Sequence, residues 1–394
     1  MLRLTLLLLA ATLTAPAQWD IQQSHTTASL HGIHALGAGI AWASGTNGTV
    51  LRTTDNGTTW QPCTTPPDAE KLDFRGIQAF DAQTAIVMSS GKGDLSRLYK
   101  TTDACQTWHL LFTNPDKEGF WDALQIGPDS DGGVLIGDPV NGKFVIYETH
   151  SKGDTWEVWG TNKYHNEAAE RVQPAIARTG ESLFAASNSA ADLLGRNRFA
   201  FVTGGHGGSH LLSCEPHNPF DSGTIYKFTT TKLPFNSSKS SGAFAITDRT
   251  VDAKKGETDL MIVGGNYLTP DAVGSAAYLP HREEKYLGNL LALGSERQRV
   301  IAAKNPPHGY RSSVAYSPTT KTWITVGPNG TDISTDDGRN WHPLTPTPSE
   351  PTDADKNWNA LSLPFVVGPN GRIGKLRPNA LTKEASSPKQ GKEK

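Results

Sequence analysis

Five polar residues, His31, Arg75, Asp122, Arg311 and Asn359, hold the same place in a short motif that recurs along the chain. The motifs read LHGIHAL from Leu30, FRGIQAF from Phe74, WDALQI from Trp121, LFAASN from Leu183, GAFAIT from Gly242, YRSSVAY from Tyr310 and WNALSL from Trp358. The fourth and fifth carry Phe184 and Ala243 instead. Two guanidiniums gathered near one axis suit a carboxylate or another anion, because each presents a planar fork of N–H donors that matches a pair of oxygens. Asp122 beside them could act as a general acid. It could equally pair with the arginines and leave only a neutralised, solvated rim. The first reading predicts a face that recognises a protein partner or an anionic ligand; the second predicts ion pairs with a structural role.

Other chemistry finds less support. No G-x-G-x-x-G lies between a strand and a helix, and no Cys-x-x-Cys-His is present, so no nicotinamide or haem site is expected and no cofactor is assigned. The run GGHGGSH at residues 204–210 has no accompanying G-x-S-x-G elbow, and a glycine-rich hairpin accounts for it. His206, His210 and His217 do not have zinc-ligand spacing, and no metal site is expected. His31 and His34, three apart on a strand, should project to opposite faces. A glycoside hydrolase can be drafted from Arg75, Arg311 and Arg372 as a carboxylate-binding trio, Asp122 as acid, and Tyr286 with Glu283 or Glu284 as nucleophile. No spacing in the chain demands that set.

The elements that must position these residues are read from a second repeat. TTDNGTTW, TTDACQTW and THSKGDTW end at Trp60, Trp108 and Trp156, each 48 residues after the last, and STDDGRNW ends at Trp341. A fixed period of this size marks a propeller or solenoid. Asp55, Asp103 and Asp336 can accept hydrogen bonds from the backbone of their own turn, and Ser151 does so more weakly in the third copy. Gly57, Gly153 and Gly338 permit positive φ, and Trp60, Trp108, Trp156 and Trp341 begin the next strand and pack between blades. Asn-Gly hairpins in GTNGTVLR, VGPNGTDIS and VVGPNGRIGKL precede or replace the boxes. Together the repeats predict an all-β fold, a seven-bladed β-propeller with four-stranded antiparallel blades filling residues 18–377. The last blade shows only three strands, so residues around 21–24 are expected to supply its fourth.

The rest of the chain sets boundaries. Of 394 residues 37 are basic and 39 acidic, which gives no reason to expect nucleic acid as a partner. Arg3, an apolar run from Leu4 to Leu13 and the small-residue pattern at Ala15-Pro16-Ala17 read as a signal peptide at 1–17. The run is too short to span a bilayer, so an exported, periplasmic or secreted monomer without a membrane span is expected. Residues 378–394 read as a disordered tail. Cys63, Cys105 and Cys214 are too few to make the fold depend on disulfides, and Cys105, at a turn position, is expected to be exposed.

The boxes resemble the BNR/Asp-box repeat families, which include sialidases. Taken with KLDFRGIQAFD, GYRSSVAY and GPNGTDISTDDGRNW, they look more like the photosystem II stability/assembly factor family, and specifically its non-photosynthetic bacterial relatives, often labelled oxidoreductase. That resemblance spans about residues 19–376 and implies a seven-bladed propeller. Photosynthetic members bind partner proteins without catalysis, so the resemblance implies a binding or assembly module. Nothing in the chain points to a photosystem, and that partner is not carried over. A sialidase-like hydrolase of extracellular glycans is the alternative.

Overall fold

Short β-rich runs broken every few residues by turn formers leave the chain little choice but strands. The computed structural model describes residues 18–127, 131–161, 172–195, 198–217, 225–252, 257–281, 300–346 and 350–381. Residues 1–17, expected to be a signal peptide, the tail beyond 381, and Glu283, Glu284 and Tyr286 lie outside the described residues. Seven antiparallel sheets are arranged as blades, and the one helical element among the described residues is a 3₁₀ turn at Gly93–Leu95.

Blades 1, 2 and 3 open with inner strands Leu30–Gly37, Phe74–Ala79 and Trp121–Ile126. Blades 5, 6 and 7 open with Ser241–Asp252, Ser313–Ser317 and Ala360–Ser362. Blade 7 is completed from the other end of the chain: Trp19–Gln22 pairs antiparallel with Ile373–Leu376, closing the ring. Trp60 Nε1 reinforces that closure by donating to Gln22 Oε1 at 2.8 Å.

The core is divided. Seven apolar clusters each occupy the space between two neighbouring blades, such as Trp42, Phe74, Val87 and Tyr99 between blades 1 and 2. Trp60 meets Phe365 edge-on at 5.5 Å between blades 1 and 7. Trp42, Trp121, Trp323 and Trp358 are among the largest fully buried side chains. At about 25 cal/mol per Å², each such ring removes on the order of 4–6 kcal/mol of apolar surface from water, as an upper bound.

The boxes close as their residue types require. Asp55 Oδ1 accepts the Thr59 N–H at 2.9 Å and Oδ2 accepts its hydroxyl at 2.6 Å. Asp103 does the same with Thr107, and Asp336 with Asn340. Ser151 keeps both contacts through its single oxygen, accepting the Thr155 N–H at 2.9 Å and meeting the Thr155 hydroxyl at 2.8 Å. The residue two before each acidic position, Thr53, Thr101, Thr149 or Ser334, accepts the N–H at the glycine position.

Three expectations change. The fourth inner strand is Ala191–Leu193, not the run from Leu183; Glu181–Ser182 instead pairs with Gly204–Gly205, which extends the sheet of blade 5. Gly204 and Gly242 meet so closely there that a Cβ on Gly204 would lie 2.7 Å from the Gly242 Cα. Cys105 is buried and bonded to Cys63, because its turn folds back onto the end of blade 1. Residues 378–381 form a turn, and Leu381 packs against the cluster holding Trp19 and Trp358.

Two outcomes follow for stability. The Cys63–Cys105 bond closes a loop of 42 residues. Replacing both with serine should lower unfolding free energy by up to about 4 kcal/mol, measured by urea titration under oxidising conditions. Hydrogen bonds from Thr59 and Thr107, side chain first and then backbone, hold Asp55 and Asp103 near a pKa of about 2, below the ordinary 3.8. Their contribution is therefore present above 3.8 and is lost as pH falls through about 2. Thermal melts between pH 5 and pH 2 should fall less steeply for an Asp55→Asn/Asp103→Asn variant than for the native chain; equal slopes would contradict the assignment.

Candidate functional site

The inner strands begin at one end of the channel, called here the proximal end. Bulges interrupt four of them near the start, at His31, Arg75, Asp122 and Phe244. A bulge re-aims its side chain relative to strand alternation. The structure therefore corrects the alignment twice. In blade 5 the equivalent residue is Phe244, one place after Ala243. In blade 6 it is Ser312: Leu30, Arg311 and Trp358 all donate their N–H to a glycine carbonyl of the preceding blade, Gly368, Gly264 and Gly327. Arg311 is thus the counterpart of the buried Leu30 and Trp358.

Arg311 is fully buried. Its Nε reaches Asp332 Oδ2 at 2.8 Å, Nη2 bonds the same oxygen, and Nη1 donates to Tyr310 O and Asn329 Oδ1. Burial pushes the Asp332 carboxyl up, but His308 and Arg311 together hold it below the usual range. Arg311 is therefore a structural ion pair and not part of a recognition face. Asn359 is structural too, its Nδ2 donating to Leu30 O at 2.8 Å across the junction of blades 7 and 1. The third guanidinium of the drafted hydrolase trio, Arg372, stacks on Trp358 and donates to Asp353 O. Arg75, Arg311 and Arg372 do not converge on one cavity.

His31, Arg75 and Asp122 do lie together at the proximal end. Asp73 is the hub: Oδ1 takes His31 Nδ1 at 2.9 Å and Oδ2 takes Arg75 Nε at 2.8 Å. These groups hold a segment that the sequence reading mistook for a strand. Residues 183–189 cross the channel and plug it. Arg75 Nη1 donates to Ala185 O at 2.8 Å. Leu183 N donates to Asp138 Oδ1 at 3.0 Å, and the Ala185 N–H lies against Asp122. Ser187 Oγ donates to Ser312 O, Asn188 makes paired bonds with the Leu124 backbone, and Ile246 N donates to Ser189 O. Blades 2, 3, 5 and 6 all grip the plug.

Asp122 is buried, and burial first, then the charge of Asp138, raises its pKa well above the ordinary value. Burial also raises Asp138, to about 6. Like charges this close resist joint ionisation, so the pair retains a proton.

Over the plug the proximal surface is shallow. The Arg75 side chain is 34% exposed, and its Nη2 has no hydrogen-bond partner among the described residues. Arg75 and Tyr267 both act on the buried Tyr310 hydroxyl, which places the three together. Phe184 stacks on Phe244 at 4.1 Å, and Tyr267 packs edge-on against both. The hairpin that follows leaves Tyr267 44%, Leu268 70% and Val273 70% exposed. That apolar tip went unrecognised in the sequence, where NYLTPDAV reads as a turn.

No family model matches the chain, and no curated protein matches it. Solved structures do. YCF48 bound to D1 peptide is 17% identical over 94% of this chain and 99% of its own, with a TM-score of 0.56. YCF48 from Cyanidioschyzon merolae is also 17% identical, over 92% and 100%, with a TM-score of 0.57. The WD40 β-propeller domain of Doa1 is 10% identical over 94% and 100%, with a TM-score of 0.51. The likeness is one of fold, a β-propeller.

The Asp122–Asp138 pair generates a pH test. Folded pKa values above the unfolded ones give stability that is full below about pH 4 and declines as pH rises. Asparagine at position 122 cannot ionise. Asp122→Asn should therefore gain melting temperature relative to the native protein between pH 5 and pH 8. A difference that does not change with pH would sink the assignment.

Proposed function

We propose that the protein is an exported binding module whose proximal face recognises a peptide segment carrying a carboxylate next to apolar side chains. The observation that carries this reading is Arg75: anchored through Nε and Nη1, it offers Nη2 to solvent at the same end of the channel as the exposed Tyr267, Leu268 and Val273. A guanidinium fixed on two sides loses little freedom when it takes a carboxylate. The apolar tip supplies the surface that a peptide side chain would cover. The plug closes the channel beneath, which suits an extended ligand lying across the face better than a substrate entering a pocket. The fold shared with YCF48, one structure of which contains D1 peptide, supports the same class of function. The Cys63–Cys105 bond supports export, since disulfides persist in oxidising compartments.

The test is fluorescence polarisation with a peptide array in which every sequence is presented with a free and an amidated C-terminus. Enrichment of peptides that combine a carboxylate with an apolar residue is expected. Arg75→Ala should weaken the best binders about tenfold or more, the scale of a charged hydrogen bond. Leu268→Asp, at an exposed position, should weaken them with the melting temperature unchanged. Binders indifferent to both substitutions would overturn the proposal.

A further inference from the structure

The other end of the channel holds a second, separate site. Below the plug lies a cavity of about 500 Å³, walled by residues of all seven blades and opening where the inner strands end. Volumes of this size hold small organic ligands. The wall mixes aliphatic side chains, among them Ile77, Ile246 and Leu361, with polar ones, and Tyr316 also lines it.

Four of the polar side chains on that wall, Gln78, His34, Asp192 and Asp248, bear on what it could hold. Gln78 is only 7% exposed, faces the cavity, and has no side-chain hydrogen bond among the described residues. Its amide opens onto the cavity without a protein partner among the described residues, so its donors and acceptor are free for something that enters. His34 Nδ1 accepts the Ala79 N–H at 2.8 Å, and burial lowers its pKa to about 4. The ring is therefore neutral with its proton on Nε2, and the chain places an N–H donor on the wall. Asp192 and Asp248 stand side by side, with Asp248 N donating to Asp192 Oδ2 and Leu193 N to Asp192 Oδ1, each at 2.9 Å. The nearby Arg249 does not neutralise them, because its guanidinium is bonded to Asp259 and Asp337.

We propose that this cavity binds a primary ammonium on a short aliphatic stem that also carries an oxygen acceptor, with Asp192, Asp248 and the Gln78 carbonyl taking the cation and His34 Nε2–H taking the oxygen. Burial and then the charge of Asp248 raise Asp192 to about 8, and burial raises Asp248 as well, so the two carboxyls resist joint ionisation and a cation beside them would relieve that repulsion. A metal ion fits the donor set less well. His34 presents a proton instead of a lone pair, and both Asp192 oxygens already accept backbone N–H groups. The same ligand chemistry is offered by a free amino alcohol or by a lysine side chain within a peptide.

Calorimetry and saturation-transfer NMR on the folded chain would use 5-aminopentan-1-ol, with pentane-1,5-diol as the uncharged control. Acetyl-Gly-Lys-Gly-amide and its norleucine counterpart form the second arm. Saturable binding of the amino alcohol, about tenfold or more tighter than the diol, is expected. Preference for the lysine peptide over the free amine would identify the peptide as the source. Asp192→Asn/Asp248→Asn should abolish the preference for the amine. Gln78→Leu, which extends the aliphatic wall and leaves the carboxylates in place, should weaken it, and this variant carries the test if the first does not fold. Equal affinity for amine and diol overturns the proposal, as does unchanged amine binding in whichever of these variants fold.

Discussion

The structure turns on how the channel is filled. Seven inner strands surround an axis that their own small side chains leave open, and residues 183–189 occupy that space with backbone and short polar side chains. A segment so placed has no water to satisfy it, and each of its amides needs a partner. The partners come from the surrounding blades: the Arg75 guanidinium, the Asp138 carboxylate, and the strand amides and carbonyls at Leu124, Ile246 and Ser312. Each bond contributes about 1 kcal/mol net, but leaving any one unmade costs more. This asymmetry ties four blades to one strand of chain.

Two consequences follow from the plug. It divides one channel into a shallow face and a cavity open at the other end, so the two ends can differ in chemistry: a third-exposed cation and an apolar tip at one, a carboxylate pair and an unpaired amide at the other. It also explains charges that turn formation and apolar packing cannot. Asp122 and Asp138 sit together because both face the incoming backbone of residues 183–185, and their raised pKa values are the electrostatic consequence of bringing them inside.

Arg75 and Arg311 show how burial separates residues that look alike. Both follow an aromatic residue at the start of an inner-strand motif. Arg75 falls on a bulge and remains a third exposed. Arg311 falls one register earlier, at the position that faces the blade interface, where a guanidinium is tolerated only because Asp332 and Asn329 meet it. Removing one member of such a pair strands the other, which typically costs about 3–5 kcal/mol.

The sequence by itself determined the architecture. The 48-residue period, the Asp-box turns and the Asn-Gly hairpins are local chemistry, and local chemistry repeated at a fixed interval leaves a ring of blades as the way to bury every strand. Ring closure by the N-terminal segment was legible for the same reason, as a last blade visibly one strand short. His31, Arg75 and Asp122 lie together at one end of the channel, as their shared place in the motif suggests, while Arg311 and Asn359 are taken up in bonds between elements and the Leu183 run forms no inner strand. Only the tertiary structure could decide those. A one-residue bulge shifts which side chain faces the axis without changing the motif, and a segment that plugs a channel has the same small, polar composition as a strand lining it. The cavity residues Gln78, His34, Asp192 and Asp248 were invisible in the sequence because nothing local brings them together: they lie on four different blades apart from His34's bond to the next strand, and only the closed ring sets them around one space.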